Sequence, residues 1–137
     1  MKYRGDLSAY PAALAQLHDT RAPFAPEWVA SGSISYDRAI SRTLKGFVYL
    51  DAQYQSRANL SYSAMTTPEY FQDGYALVNA RIGIGDIDDH LSVELWARNL
   101  TNNRVWTGLY QGTAQAGSIQ SFVNEPRFYG ATLRTKF

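Results

Sequence analysis

Five stretches of the chain alternate with a period of two, one face apolar and the other polar or mixed, as strands do when their two sides meet different surroundings. Trp28, Ala30, Gly32, Ile34 and Tyr36 oppose Val29, Ser31, Ser33, Ser35 and Asp37. Gly46, Val48, Leu50, Ala52 and Tyr54 oppose Lys45, Phe47, Tyr49, Asp51 and Gln53. Ala76, Val78, Ala80, Ile82 and Ile84 oppose Tyr75, Leu77, Asn79, Arg81 and Gly83, and then Leu91, Val93, Leu95, Ala97 and Asn99 oppose Ser92, Glu94, Trp96 and Arg98. The last residues repeat the pattern, with Tyr129, Ala131, Leu133, Thr135 and Phe137 against Phe128, Gly130, Thr132, Arg134 and Lys136. None of the five apolar faces carries Asp, Glu, Lys or Arg, although 18% of the chain is charged. The pattern predicts an all-β, antiparallel fold in which one side of each strand avoids water.

A soluble sandwich also hides one face of each strand. Three features favour lipid instead. Aromatic side chains close several apolar faces (Trp28, Tyr36, Tyr54, Tyr129, Phe137), where amphipathic rings sit at the two interfaces of a membrane, while Leu, Val, Ile and Ala fill the middles. The connections alternate in length: Asp37 to Ser41 and Asp86 to His90 are short, Ala64 to Gly74 and Thr101 to Pro126 are long. Outer-membrane barrels have that habit, with short periplasmic turns and long outer loops. Each face is deep enough for a strand of about 9 to 11 residues, the length that crosses the hydrocarbon when tilted. The expected fold is an antiparallel transmembrane β-barrel segment of about five strands, with 1–26 as an extracellular loop region and 27–137 as the strands. Since even small barrels use about eight strands, the five are expected to belong to a larger barrel and the chain to be part of a longer protein.

Composition narrows the function classes. A net charge of +1 gives no basic excess for nucleic acid, and the absence of cysteine removes disulfides and thiolate chemistry. No stretch approaches the roughly 18 uninterrupted apolar residues of a membrane helix. There is no Gly-x-Ser-x-Gly elbow, P-loop or dinucleotide fingerprint, so neither an enzyme nor a cofactor is expected. Asp86, Asp88, Asp89 and His90 form the densest acidic cluster, but its spacing is not that of a calcium loop and its length suits a solvated hairpin turn. His18 and His90, the two histidines, are far apart in sequence, and no metal site is expected.

Ala25-Pro26-Glu27-Trp28 opens the first strand, Ala97-Arg98-Asn99-Leu100-Thr101-Asn102-Asn103 closes the fourth, and Glu125-Pro126-Arg127-Phe128-Tyr129-Gly130 leads into the terminal Phe137. In that order and spacing, over residues 23 to 137, the chain resembles the end of a TonB-dependent receptor. Thr101 departs from the aromatic that the family commonly has there. The resemblance implies a barrel of about 22 strands, filled by a plug domain and energised through the TonB complex. Such a receptor sits in the bacterial outer membrane and imports a scarce nutrient such as a siderophore. Its implied partners are outer-membrane lipid, the rest of the barrel with its plug, and the barrel assembly machinery, which would read Tyr129, Leu133 and Phe137 as a carboxy-terminal signal.

Two sets of residues are candidates for contact with a ligand. Trp106, Tyr110, Gln111, Gln115, Gln120 and Asn124 lie in the longest connection, and loops of that length are often functional. Asp51, Arg81, Glu94, Arg98 and Arg134 fall on the second face of their strands and would look into the lumen, towards a plug or a passing solute. Charges inside large barrels are also commonly solvated or paired for structural reasons. The rival expectation is a small self-contained outer-membrane or ligand-binding β-barrel.

Overall fold

The computed structural model describes residues 22–61, 68–115 and 117–136. Apart from one single-turn 3₁₀ segment, Pro68–Tyr70, its regular elements are strands. Among the described residues no helix is long and apolar enough to cross a membrane. Phe137, His18, the first 21 residues and Ala64 with its neighbours fall outside the described residues.

All five sequence-predicted strands form, as β1 (Val29–Ala39), β2 (Leu44–Gln55), β5 (Tyr75–Asp86), β6 (Leu91–Arg98) and β9 (Phe128–Thr135). They make one five-stranded sheet in the order β1-β2-β5-β6-β9, so neighbours in the sheet follow one another in the chain. The register keeps the two sequence-derived faces apart. Ile82 lies opposite Leu95 and Ile84 opposite Val93, while Arg81 lies opposite Trp96 and Gly83 opposite Glu94. Across β6 and β9, Val93 meets Leu133 and Leu95 meets Ala131; Ser92 meets Arg134 and Glu94 meets Thr132. A slip of one residue would exchange the faces, so this agreement fixes the pairing as well as the strands.

β1, β2 and β5 run longer than the alternation alone requires. β1 continues through Asp37 to Ala39, which moves the first turn from Asp37–Ser41 to 40–43. The Ser41 hydroxyl makes that turn by accepting the N–H groups of Thr43 (3.2 Å) and Leu44 (3.1 Å). The second short turn joins the first, since Ile87 N–H donates to the Thr43 carbonyl at 2.9 Å and Lys45 Nζ reaches Asp89 Oδ2 at 2.7 Å.

The two long connections hold more structure than the word loop implies. Between β2 and β5 come β3 (Ala58–Asn59) and β4 (Phe71–Gln72), a two-stranded antiparallel pair. Between β6 and β9 come β7 (Trp106–Gln111) and β8 (Ile119–Val123), an antiparallel hairpin with an irregularity at Thr107. A parallel bridge from Ser61 to Leu109 links the two pieces.

The described residues thus fall into two compact units. The first takes the segment up to Val29, Gln55–Tyr75 and Arg104–Asn124, and it has a small buried core of Ala58, Leu60, Tyr70, Val105 and Leu109. The second takes Ala30–Tyr54, Ala76–Asn103 and Glu125–Phe137, and contains nearly all of the five-stranded sheet. There the apolar face is the uncovered one: Ile34, Ile82, Leu95 and Leu133 are all more than half exposed, whereas Glu94 on the opposite face is only 8% exposed. β1 and β9 are the edges of this sheet, and no closed barrel forms among the described residues.

Candidate functional site

The five charged residues expected to face a lumen gather in one place. Asp51, Arg81, Glu94, Arg98 and Arg134, contributed by β2, β5, β6 and β9, line a single concave basin of about 470 Å³ on the polar face of the sheet. Period-two geometry brings them there. Each occupies a second-face position, and the antiparallel register stacks those positions side by side across the strands.

Aromatic rings join the basin's charges on this face, which is the face their parity assigns them. The Arg81 guanidinium lies over the Tyr49 ring at 4.5 Å. Arg98 lies 6.0 Å from the Trp96 ring and 5.7 Å from that of Phe128, and the two rings meet edge to face with centroids 5.6 Å apart. The Trp96 indole Nε1–H donates to Thr132 Oγ1 at 3.1 Å. Glycine leaves room for rings on this face. A Cβ on Gly130 would come within 2.5 Å of the Trp96 indole, and one on Gly83 within 2.5 Å of the Phe47 ring. The pairing of an aromatic with a facing glycine was available in the sequence, but only the register reveals it.

One end of the basin is anchored by asparagines. Asn79 Nδ2 donates to Asp51 Oδ2 at 2.8 Å, and Asn79 Oδ1 accepts the N–H of Asn99 at 3.0 Å. Asn99, buried, sits in the left-handed region at φ 49°, a conformation Asn tolerates better than most residues. Its amide donates to the carbonyls of Asn103 (3.0 Å) and Glu125 (3.1 Å), and its Oδ1 accepts from Asn103 N–H (3.1 Å) and the Thr101 hydroxyl (3.2 Å). Asn102 Oδ1 then accepts the Arg127 N–H at 3.3 Å. The Asn-Leu-Thr-Asn-Asn run is therefore a polar clasp that ends β6 and holds Glu125 and Arg127, the approach to β9, beside it. Nothing in hydrophobic periodicity reports such a role.

The second candidate set lies in the other unit. Trp106, Tyr110, Gln111 and Gln120 share the β7/β8 hairpin, where Trp106 is exposed and Tyr110 packs against Phe122 with centroids 5.7 Å apart. Gln115 lies in the hairpin's turn, its carbonyl accepting from Ser118 N–H and hydroxyl. Asn124 is occupied at the base, where its Oδ1 accepts Val105 N–H at 2.8 Å and its own N–H donates to the Val105 carbonyl at 2.9 Å. Similarly Asn59, fully buried, accepts the Ser61 N–H at 2.9 Å within the small core.

Asp86, Asp88 and His90 bring one ligand atom each within 4.8 Å of the others. Asp86 lies beyond Ile84, the last apolar-face position of β5, and is committed to the turn. Its Oδ1 accepts Leu91 N–H at 2.7 Å and its Oδ2 meets His90 Nδ1 at 3.1 Å, contacts that hold its carboxyl below the ordinary carboxylate range. Of the assembly residues, Tyr129 and Leu133 stand exposed on the apolar face of β9.

No family model, curated protein or solved structure matches this chain.

Proposed function

We propose that the chain supplies the carboxy-terminal strands of an outer-membrane transporter barrel of the TonB-dependent receptor kind, which binds and imports a scarce nutrient. The observation that carries this reading is the inversion of burial in the five-stranded sheet. In water, the charge-free face would be the buried one, because each large aliphatic side chain gains about 1.5–3 kcal/mol when removed from solvent. Here Ile34, Ile82, Leu95 and Leu133 point outward, and the polar face holds the basin. Lipid is the solvent in which that arrangement is favourable, and lipid also requires the edges β1 and β9 to be paired with further strands, because unpaired backbone groups there cost several kcal/mol each. The joined short turns agree with the periplasmic rim of such a barrel, and the exposed rings of the β7/β8 hairpin with an outer recognition loop. A small self-contained barrel would need β1 and β9 to meet, and among the described residues they do not.

Since the chain has no cysteine, single cysteines can be placed and labelled with a polarity-sensitive dye. In bilayers containing a chain-attached quencher, dye at Val48→Cys, Leu95→Cys or Leu133→Cys should be quenched, and dye at Ser92→Cys or Thr132→Cys should not. Equal quenching on both faces would overturn the reading. In cells, a maleimide that cannot cross the outer membrane should label Gln115→Cys on intact cells and Asp88→Cys only after lysis.

A further inference from the structure

We propose that the polar basin is a binding site for one oxyanion, a carboxylate or phosphate group, held by Arg81, Arg98 and Arg134. The basin belongs to the sheet's polar face alone, so the proposal stands or falls separately from the lipid assignment of the opposite face.

Three guanidiniums and two carboxylates line the cavity. Asp51 accepts from Asn79. The ion pairs among the described residues are Lys45–Asp89, Arg57–Asp73 and His90–Asp86, none of which involves a basin arginine or Glu94. Each arginine therefore keeps its fork of N–H donors without a carboxylate partner. A cavity with formal charge one positive is neutralised by one monovalent anion.

The arginines are also prepared for that task. Arg81 is stacked on Tyr49, and Arg98 lies against Trp96 and Phe128. Stacking occupies the flat faces of a guanidinium and leaves its edge donors free, and a guanidinium already held in place loses less entropy when it closes on a carboxylate or phosphate. The fork then makes two parallel charge-assisted bonds, stronger than neutral ones. Glu94, buried between its cross-strand neighbours Gly83 and Thr132, has the opposite effect. Its charge repels an anion, which confines the site to the arginine side of the basin and disfavours a polyanion. The same chemistry can arrive as a free solute or as an acidic side chain on a polypeptide segment seated on this face.

The test uses the whole chain in detergent with Trp28→Phe and Trp106→Phe, so that Trp96 is the sole tryptophan and reports on Arg98. Inorganic phosphate and a blocked peptide with a single glutamate are titrated separately. A saturable change in Trp96 emission at about millimolar concentration is expected. Arg81→Gln and Arg98→Gln should each weaken it about tenfold, whereas Arg104→Gln, outside the basin, should leave it unchanged. Arg98→Lys keeps the charge without the fork and should give an intermediate affinity, which guards against misreading a variant that fails to fold. Tighter binding of phosphate points to a free solute, and tighter binding of the peptide to a polypeptide partner; either supports the site. No saturable change with either probe up to about 100 mM, or undiminished binding in the Arg81→Gln/Arg98→Gln double variant, would overturn it.

Discussion

The two units of this chain treat apolar side chains in opposite ways. In the first, Leu60, Tyr70 and Leu109 are buried together, and polar groups such as Asn59 and Ser61 enter the interior only with hydrogen bonds to satisfy them. In the second, large aliphatic residues of the same kinds cover the outside of a sheet, while charges and asparagines collect on its other face. The small core is what water enforces; under the function proposed above, the outward apolar face is what a hydrocarbon surround would permit.

The sharpest way to break that comparison is to truncate one leucine in each unit. Leu109→Ala should destabilise the first unit by about 2–5 kcal/mol, because it empties a closed core. Leu95→Ala, on a face that is already uncovered, should change stability by only about 0.5 kcal/mol. Hydrogen exchange at the Leu60 and Leu109 amides, set against exchange within β6, reads both, and comparable losses would show that the exposed face is packed against something after all.

Charge tests the same contrast on the face that the proposed function turns to lipid. Leu50→Arg or Val93→Arg should cost about 2–4 kcal/mol when the protein is unfolded from a bilayer. Ser33→Arg, on the opposite face of β1, should cost much less, and similar costs would mean that the sides are assigned wrongly.

The clasp at the end of β6 belongs to neither rule, since it is held by hydrogen bonds rather than by apolar contact. Asn99→Gly keeps the left-handed backbone and removes the amide. It should cost about 1–3 kcal/mol, with faster exchange at Leu100 and Asn103. Exchange unchanged from the native protein would make the clasp incidental.

The smallest effect concerns the turn. Because Asp86 has a depressed pKa, whatever the turn gains from that carboxylate is complete above the ordinary carboxylate pKa and lost as the pH falls through the depressed one. An NMR titration should place the Asp86 midpoint below the ordinary aspartate value. Substituting His90 with Ala should raise it only part of the way, since Leu91 N–H is the larger cause.

The strands, their order and their two faces were legible in the sequence because a period of two is local: each side chain's face follows from its parity alone. The same parity placed Asp51, Arg81, Glu94, Arg98 and Arg134 on one side. It did not place them in one basin, nor set Arg81 on Tyr49 or Trp96 over Gly130, because those neighbours lie on different strands and their meeting depends on register. The hairpin of β7 and β8 and the small core were harder still to read. Their strands are short, and the apolar residues that meet in that core, Ala58, Leu60, Tyr70 and Leu109, are spread over two separate segments with no period to join them. The clasp of Asn99 was visible only as a string of polar residues. The sequence by itself determined which faces avoid charge, since that is written residue by residue; only the tertiary structure decided which of those residues touch, because contacts between distant segments are set by pairing and packing that no local pattern encodes.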